Sequence, residues 1–128
     1  MLNVIVTCAI IENENQVLVV QRSEYMKLPL KWEFPGGKIE KWETDEDCIK
    51  REIREELNLE IELIKKLTPA IYDYPEVCIE LIPFIAKQIG GQLKLNEHAD
   101  FKYLTKAELL NLDWAEADVS IVKEYLGL

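Results

Sequence analysis

The chain is short of positive charge. Fifteen Lys and Arg stand against 24 Asp and Glu, a net charge of −9, so the sequence carries no basic footprint for duplex nucleic acid. Glycine and proline are also scarce, five of each in 128 residues, and 48% of the chain is hydrophobic, which excludes a disordered, collagenous or low-complexity protein. Cys8, Cys48 and Cys78 are odd in number, far apart and form no C-x-x-C pair. Neither a disulfide framework nor a zinc site is indicated, and buried thiols in a reducing cytoplasm are the simplest reading. The amino-terminal stretch MLNVIVTCAII is apolar but well short of a membrane span, and no positive segment precedes it. It reads as a first strand, with no membrane partner and a cytoplasmic location expected. The length suits one domain, residues 1–128.

Turn and cap residues divide what remains. Val4 to Ile11 and Val17 to Arg22 are rich in β-branched residues around the turn cluster ENEN and predict a hairpin. Residues 23–31 have no period and read as a loop. Trp32 to Lys38, WEFPGGK, is broken by Pro35 and two glycines and reads as a shaped loop. A helix is expected from Thr44, in capping-box relation to Asp47, to Asn58, which tolerates a left-handed helix end. Residues 59–75 and 76–88 read as two long strands, with reversals near Tyr74 to Glu76 and at Gly90-Gly91. FKYLT follows as a strand, Thr105 and Glu108 cap a short helix, and Asp118 to Leu126 form a last one. Without regular strand-helix alternation or an internal repeat, the pattern predicts an α+β fold, a mixed sheet flanked by helices.

The expected helix carries an excess of acids in KREIREELNL, residues 50–59. Three- and four-residue steps bring Glu52, Glu55 and Glu56 to one face, beside an apolar stripe of Ile49, Ile53 and Leu57. Like charges at that spacing destabilise a helix, so the cluster needs either solvent or a counter-ion. A solvated face with Arg51 and Arg54 as partners meets the need. A hard divalent cation such as Mg²⁺, held by a few carboxylates together with substrate phosphates, also does.

The spacing around the helix adds to this. From Gly37, five residues lead to Glu43 and seven more to Arg51-Glu52, followed by Ile53, Glu55-Glu56 and Leu59. The interval 37–59 resembles the signature box of the Nudix hydrolases, G-x5-E-x7-R-E-U-x-E-E-x-G-U, with Asn58 in place of the last glycine. Trp42 stands where many members have a glycine. WEFPGGKIE, YDYPE, NEH at 96–98 and LDWAEAD also resemble the MutT-like nucleoside triphosphate pyrophosphohydrolase branch, so the likeness spans nearly the whole chain.

The resemblance implies an α/β/α sandwich with a mixed, mostly antiparallel sheet, and Mg²⁺, or Mn²⁺ in its place, as cofactor. Glu52, Glu55, Glu56 and the Gly36 carbonyl would hold metal, with Glu97 as an added acid from a loop facing the helix. Arg51 would orient Glu52, and Glu43 would brace the loop. Arg22 and Lys38 would meet phosphates, and Phe34 would wall the base or fill the core. His98, the only histidine, is expected to be structural or at the rim. The implied reaction is attack of water on a nucleoside 5′-triphosphate, giving monophosphate and pyrophosphate.

Asp118 stands where guanine-oxidation enzymes of this branch present asparagine. An ionised Asp only accepts hydrogen bonds, which favours an exocyclic amine such as cytosine N4; a protonated Asp118 would reverse that preference. A plain N-cap of the last helix is the other reading of Asp118. Rival activities are a diphosphatase for ADP-ribose or dinucleoside polyphosphates, and a catalytically silent binding module, against which the intact acids weigh.

Overall fold

Two β-branched runs at the amino end form the spine of a mixed sheet. The computed structural model describes residues 2–128; Met1, the first residue of the apolar stretch, and the side chain of Leu2 lie outside them. Strands β1 (Leu2–Asn13) and β2 (Gln16–Gln21) pair as the expected hairpin, closing at Asn13↔Gln16. Glu14 and Asn15 both take positive φ, 51° and 67°, the backbone of a two-residue turn whose twist matches its strands. The later elements are β3 (Trp32–Glu33), β4 (Gly36–Lys38), α1 (Asp45–Leu57), β5 (Leu59–Lys66), β6 (Ala70–Asp73), β7 (Val77–Gly91), β8 (Asp100–Leu104) and α2 (Glu116–Leu126).

All eight strands join one sheet whose central path is β3-β2-β1-β7-β5. β1 and β7 run parallel from Leu2↔Val77 to Glu12↔Lys87, and the remaining pairs are antiparallel. The central strands are buried on both faces, so their alternation sorts residues between two apolar layers rather than between core and solvent. Cys8, Ile10, Val17 and Val19 pack towards α2 with Ile121 and Val122. Ala9, Ile11, Leu18 and Val20 pack towards α1 with Ile49, Ile53 and Leu57, all three fully buried. Full burial of each such side chain stabilises by about 1.5–3 kcal/mol, which is what holds the acidic helix to the sheet.

α1 ends as the sequence predicts. Thr44 Oγ1 accepts from the Asp47 N–H at 3.1 Å, and Asn58 adopts the left-handed conformation (φ 57°, ψ 34°) while its N–H donates to the Arg54 carbonyl at 3.0 Å. Past β7, the N–H groups of Lys94 and Asn96 donate to the carbonyls of Leu57 and Glu56 at 2.9 and 3.2 Å. These bonds satisfy helix-end acceptors and bring the segment carrying Glu97 and His98 against α1.

Five expectations shift. Residues 32–38 are not wholly loop but contain β3 and β4. The long strand 59–75 is two, β5 and β6, interrupted before β6 by Pro69, which has no N–H for a ladder. β7 runs on through Gly90 to Gly91, where φ is 88°. α2 begins at Glu116 with Ala115 as N-cap, so Asp118 is not the cap. The helix after Thr105 is a 3₁₀ turn, Lys106–Asn111. Among the described residues no helix is long and apolar enough to cross a membrane.

Candidate active site

β4 lies along β1 with Thr7↔Gly37 and Cys8↔Gly36 in register. A Cβ on Gly36 would stand 1.9 Å from the Thr7 carbonyl oxygen, and one on Gly37 2.3 Å from the Glu52 carboxylate. Only glycine lets the strand and the helix acid approach this closely. Ladder contacts at Ala9 N–H to the Pro35 carbonyl and Ile39 N–H to the Ile5 carbonyl frame Gly37 as the residue that faces β1. The antiparallel alternation turns the carbonyls of Gly36 and Lys38 away from β1, and Lys38 uses its own to accept from Arg51 Nη2 at 3.2 Å.

Arg51 is the hub of this end. It grips Glu43 with two bonds of 2.8 Å and reaches Glu52 Oε1 at 2.9 Å and Glu55 Oε2 at 3.1 Å. The hydrogen bonds from Arg51 hold the Glu43 carboxyl down to about 2. Glu43 therefore braces the loop, as expected, and Glu40 N–H donates to its Oε1 at 2.8 Å. Glu55 and Lys38 are exposed.

Glu56 differs from its neighbours on α1. Its carboxyl is pushed up to about 9, first by burial, then by the charge and proximity of Glu52, with Glu33 and Glu97 adding to the push. Glu97 is exposed on the loop that the Lys94 and Asn96 bonds hold against α1. His98 is buried beside Glu56: its Nε2 lies 2.9 Å from Glu33 Oε2 and its Nδ1 3.7 Å from Glu56 Oε2. Glu33 in turn accepts from Arg22 Nη1 at 2.7 Å.

Asp118, on the first turn of α2, is buried and accepts from the Phe34 N–H at 2.9 Å, tying α2 to the chain between β3 and β4. Burial, followed by the charge of Glu33, raises its carboxyl well above the usual range. Cys8 and Tyr74 share this neighbourhood: burial raises both, and Asp118 and Glu33 raise them further. The Phe34 ring is buried against Trp114, centroids 4.8 Å apart.

The sequence-predicted residues thus fall into two groups, the α1 acids with Arg51, Glu43, Gly36 and Glu97, and the pair Asp118 and Phe34. Arg22, expected at phosphates, is anchored to Glu33 and to the Lys27 carbonyl. Glu33 was missed, although a carboxylate flanked by two buried aromatics, Trp32 and Phe34, on a short strand was a readable signal. A depression of about 520 Å³ lined by Glu12, Thr105, Lys106 and Tyr125 holds none of these residues.

Among the described residues, no three His, Cys, Asp or Glu side chains stand ready-made as a metal cage. The residues nevertheless fit a hard cation, because Glu56 Oε2 is buried without a hydrogen-bond partner among like charges. Such an oxygen costs stability until something positive meets it. Mg²⁺ asks for only a few protein oxygens, taking the rest from water and phosphate.

Sheet, helices and acid cluster together define an α+β domain with a mixed sheet between two helices and carboxylates gathered on one of them. The NUDIX domain model matches residues 1–125, and the chain belongs to the Nudix family. It is 28% identical over 123 residues to a CTP pyrophosphohydrolase of Escherichia coli, covering 96% of this chain and 91% of that protein. It is 33% identical over 91 residues to an 8-oxo-dGTP diphosphatase of Buchnera aphidicola, covering 71% and 73%. The solution structure of a MutT protein of the Nudix hydrolase family from methicillin-resistant Staphylococcus aureus superposes with a TM-score of 0.80 at 38% identity, covering 99% and 98%.

Proposed function

We propose that the protein is a Mg²⁺-dependent pyrophosphohydrolase of nucleoside or deoxynucleoside 5′-triphosphates, with Mn²⁺ able to substitute. The observation that carries this is the buried, unpartnered Glu56 oxygen among Glu52, Glu97 and the Gly36-Gly37 strand. Relatives named for CTP and for 8-oxo-dGTP support a triphosphate as substrate. The three buried or half-buried thiols suit a reducing compartment, and we place the activity in the cytoplasm as the work of one domain.

In this reading Glu52, Glu55, Glu56, Glu97 and the Gly36 carbonyl provide the oxygen ligands. When bound, Mg²⁺ supplies Lewis acidity and offsets the charge of the phosphates. Arg51 keeps Glu52 aligned against Gly37, and Glu43 keeps Arg51 in place. Lys38, exposed on β4, is free to meet a phosphate oxygen. A carboxylate of the cluster takes the proton of the attacking water as its oxygen bonds to phosphorus, and the bond to the bridging oxygen breaks to release pyrophosphate. Asp118 reads the base edge. The raised Asp118 carboxyl removes the reason to prefer an amine over a carbonyl, since a protonated Asp118 donates. The base is therefore one that offers a donor and an acceptor side by side, cytosine and oxidised guanine included.

A pyrophosphate-release screen with Mg²⁺ over normal and modified nucleoside triphosphates, ADP-ribose and dinucleoside polyphosphates tests the reading. Triphosphates are expected to lead. Faster turnover of ADP-ribose or a dinucleoside polyphosphate than of every triphosphate would replace it.

A further inference from the structure

Two polar side chains are buried where α1 meets the sheet, a place that hydrocarbon would fill as well. Thr7 on β1 and Cys48 on α1 are both fully buried, with Thr7 Oγ1 3.2 Å from Cys48 Sγ. Both reach the same acceptor: Thr7 Oγ1 lies 3.4 Å and Cys48 Sγ 3.7 Å from the Gly37 carbonyl oxygen. Burial pushes the Cys48 thiol up to about 11, so it keeps its proton. The pair then holds two protons, and the bond between its members uses one. Whichever way that bond points, the other proton is left for the Gly37 carbonyl. Glu52 follows Cys48 by four residues on α1, so the two share a helix face. The Glu52 carboxylate is what a Cβ on Gly37 would strike, at 2.3 Å. The helix therefore meets Gly37 twice, with Cys48 at its carbonyl and Glu52 at its Cα. Glycine imposes little of its own on φ and ψ, so such outside contacts decide how this peptide stands.

We infer that Thr7 and Cys48 are positioning residues for Glu52: by holding the Gly37 carbonyl they fix where α1 sits along β4, and with it the seat of the Glu52 carboxylate against Gly37. The inference rests on the metal-binding role proposed for Glu52. Replacing both members of a buried hydrogen bond by apolar groups of similar shape can be nearly neutral for stability. What the polar pair adds is direction, because a satisfied buried network specifies one arrangement of the elements it joins. The thiol also adjoins the hub that holds Glu52, with Arg51 Nη2 4.0 Å from Cys48 Sγ. Groups that hold a ligating residue from behind typically carry about 10- to 100-fold in metal affinity.

The test is Mn²⁺ binding by the full chain without nucleotide, read as free Mn²⁺ by electron paramagnetic resonance, beside a thermal melt of each variant. Thr7→Val combined with Cys48→Ala removes both protons and keeps an apolar filling. It is expected to raise the Mn²⁺ Kd by roughly tenfold while Tm moves by only a few degrees. Thr7→Ser does the reverse: it keeps the hydroxyl and loses a buried methyl, so Tm is expected to fall and the Kd to stay within about twofold. In a Glu52→Gln background the double change is expected to add less than about twofold, because residues acting through one carboxylate are not additive. An unchanged Kd in the folded double variant, or the same loss in both backgrounds, overturns the positioning role and leaves the metal site standing. Should the double variant not fold, the single changes decide: Thr7→Val is expected to bind Mn²⁺ more weakly than Thr7→Ser, and equal Kd values overturn the role. An unchanged Kd in Glu52→Gln alone overturns both the inference and the metal-binding role of Glu52.

Discussion

Gly36 and Gly37 are neighbours that exclude a side chain for different reasons. At Gly36 the obstacle is the backbone of Thr7, and at Gly37 it is the movable end of Glu52. Gly36→Ala is therefore expected to destabilise the fold, by about 1–3 kcal/mol in a denaturant melt. Gly37→Ala is expected to leave the melt nearly unchanged and to lower Mg²⁺-dependent turnover by roughly tenfold or more, because a displaced carboxylate costs catalysis even when the fold is intact. Asp118→Asn is expected to re-rank bases while the Mg²⁺ dependence holds; equal losses on all nucleotides would mean that Asp118 serves only to tie α2 to Phe34. The helix acids were legible in the sequence because one element carries them at fixed spacing. The Glu33–His98 contact was not, because its partners are 65 positions apart and only folding brings them together.

At the scale of elements, α1 is the most legible part of the molecule, with Thr44, the first-turn acids and Asn58 marking both ends. The strands were less so. A continuous run of β-formers from 59 to 75 gives no periodicity with which to place a break, and only Pro69 hinted at it. The loop between β4 and α1 holds a conflict that the sequence announced. Trp42, standing where a glycine is usual, has φ 70° and a fully exposed side chain. The indole gains nothing from packing, while a bulky residue in the left-handed region carries strain. Trp42→Gly is expected to stabilise by about 1 kcal/mol, a rise of a few degrees in Tm, after the flexibility cost of glycine is subtracted. A lower Tm would show that the indole packs in solution.

At the scale of the whole molecule, α1 and α2 cover opposite faces of one sheet. The fold class followed from element order, whereas which strand edges each short strand joins did not, since register is set by distant partners. The buried acids give the metal-free protein a pH dependence of definite sign. Glu56, raised from 4.5 to about 9, and Asp118, also raised, hold protons that the unfolded chain releases. The Glu56 contribution is whole below about pH 4.5 and is lost as pH climbs towards 9, with Asp118 acting in the same direction, so Tm without metal is expected to fall across that window and Mg²⁺ to restore more at its upper end. A metal-free Tm that rises from pH 5 to 9 would contradict this. The central claim is tested most directly by the products and rate of a preferred triphosphate with Mg²⁺, for the natural chain and for Glu56→Gln. Monophosphate and pyrophosphate are expected, with the rate of the folded variant lowered by roughly 10² or more. Orthophosphate and nucleoside diphosphate as products, or an unchanged rate in the folded variant, would contradict it.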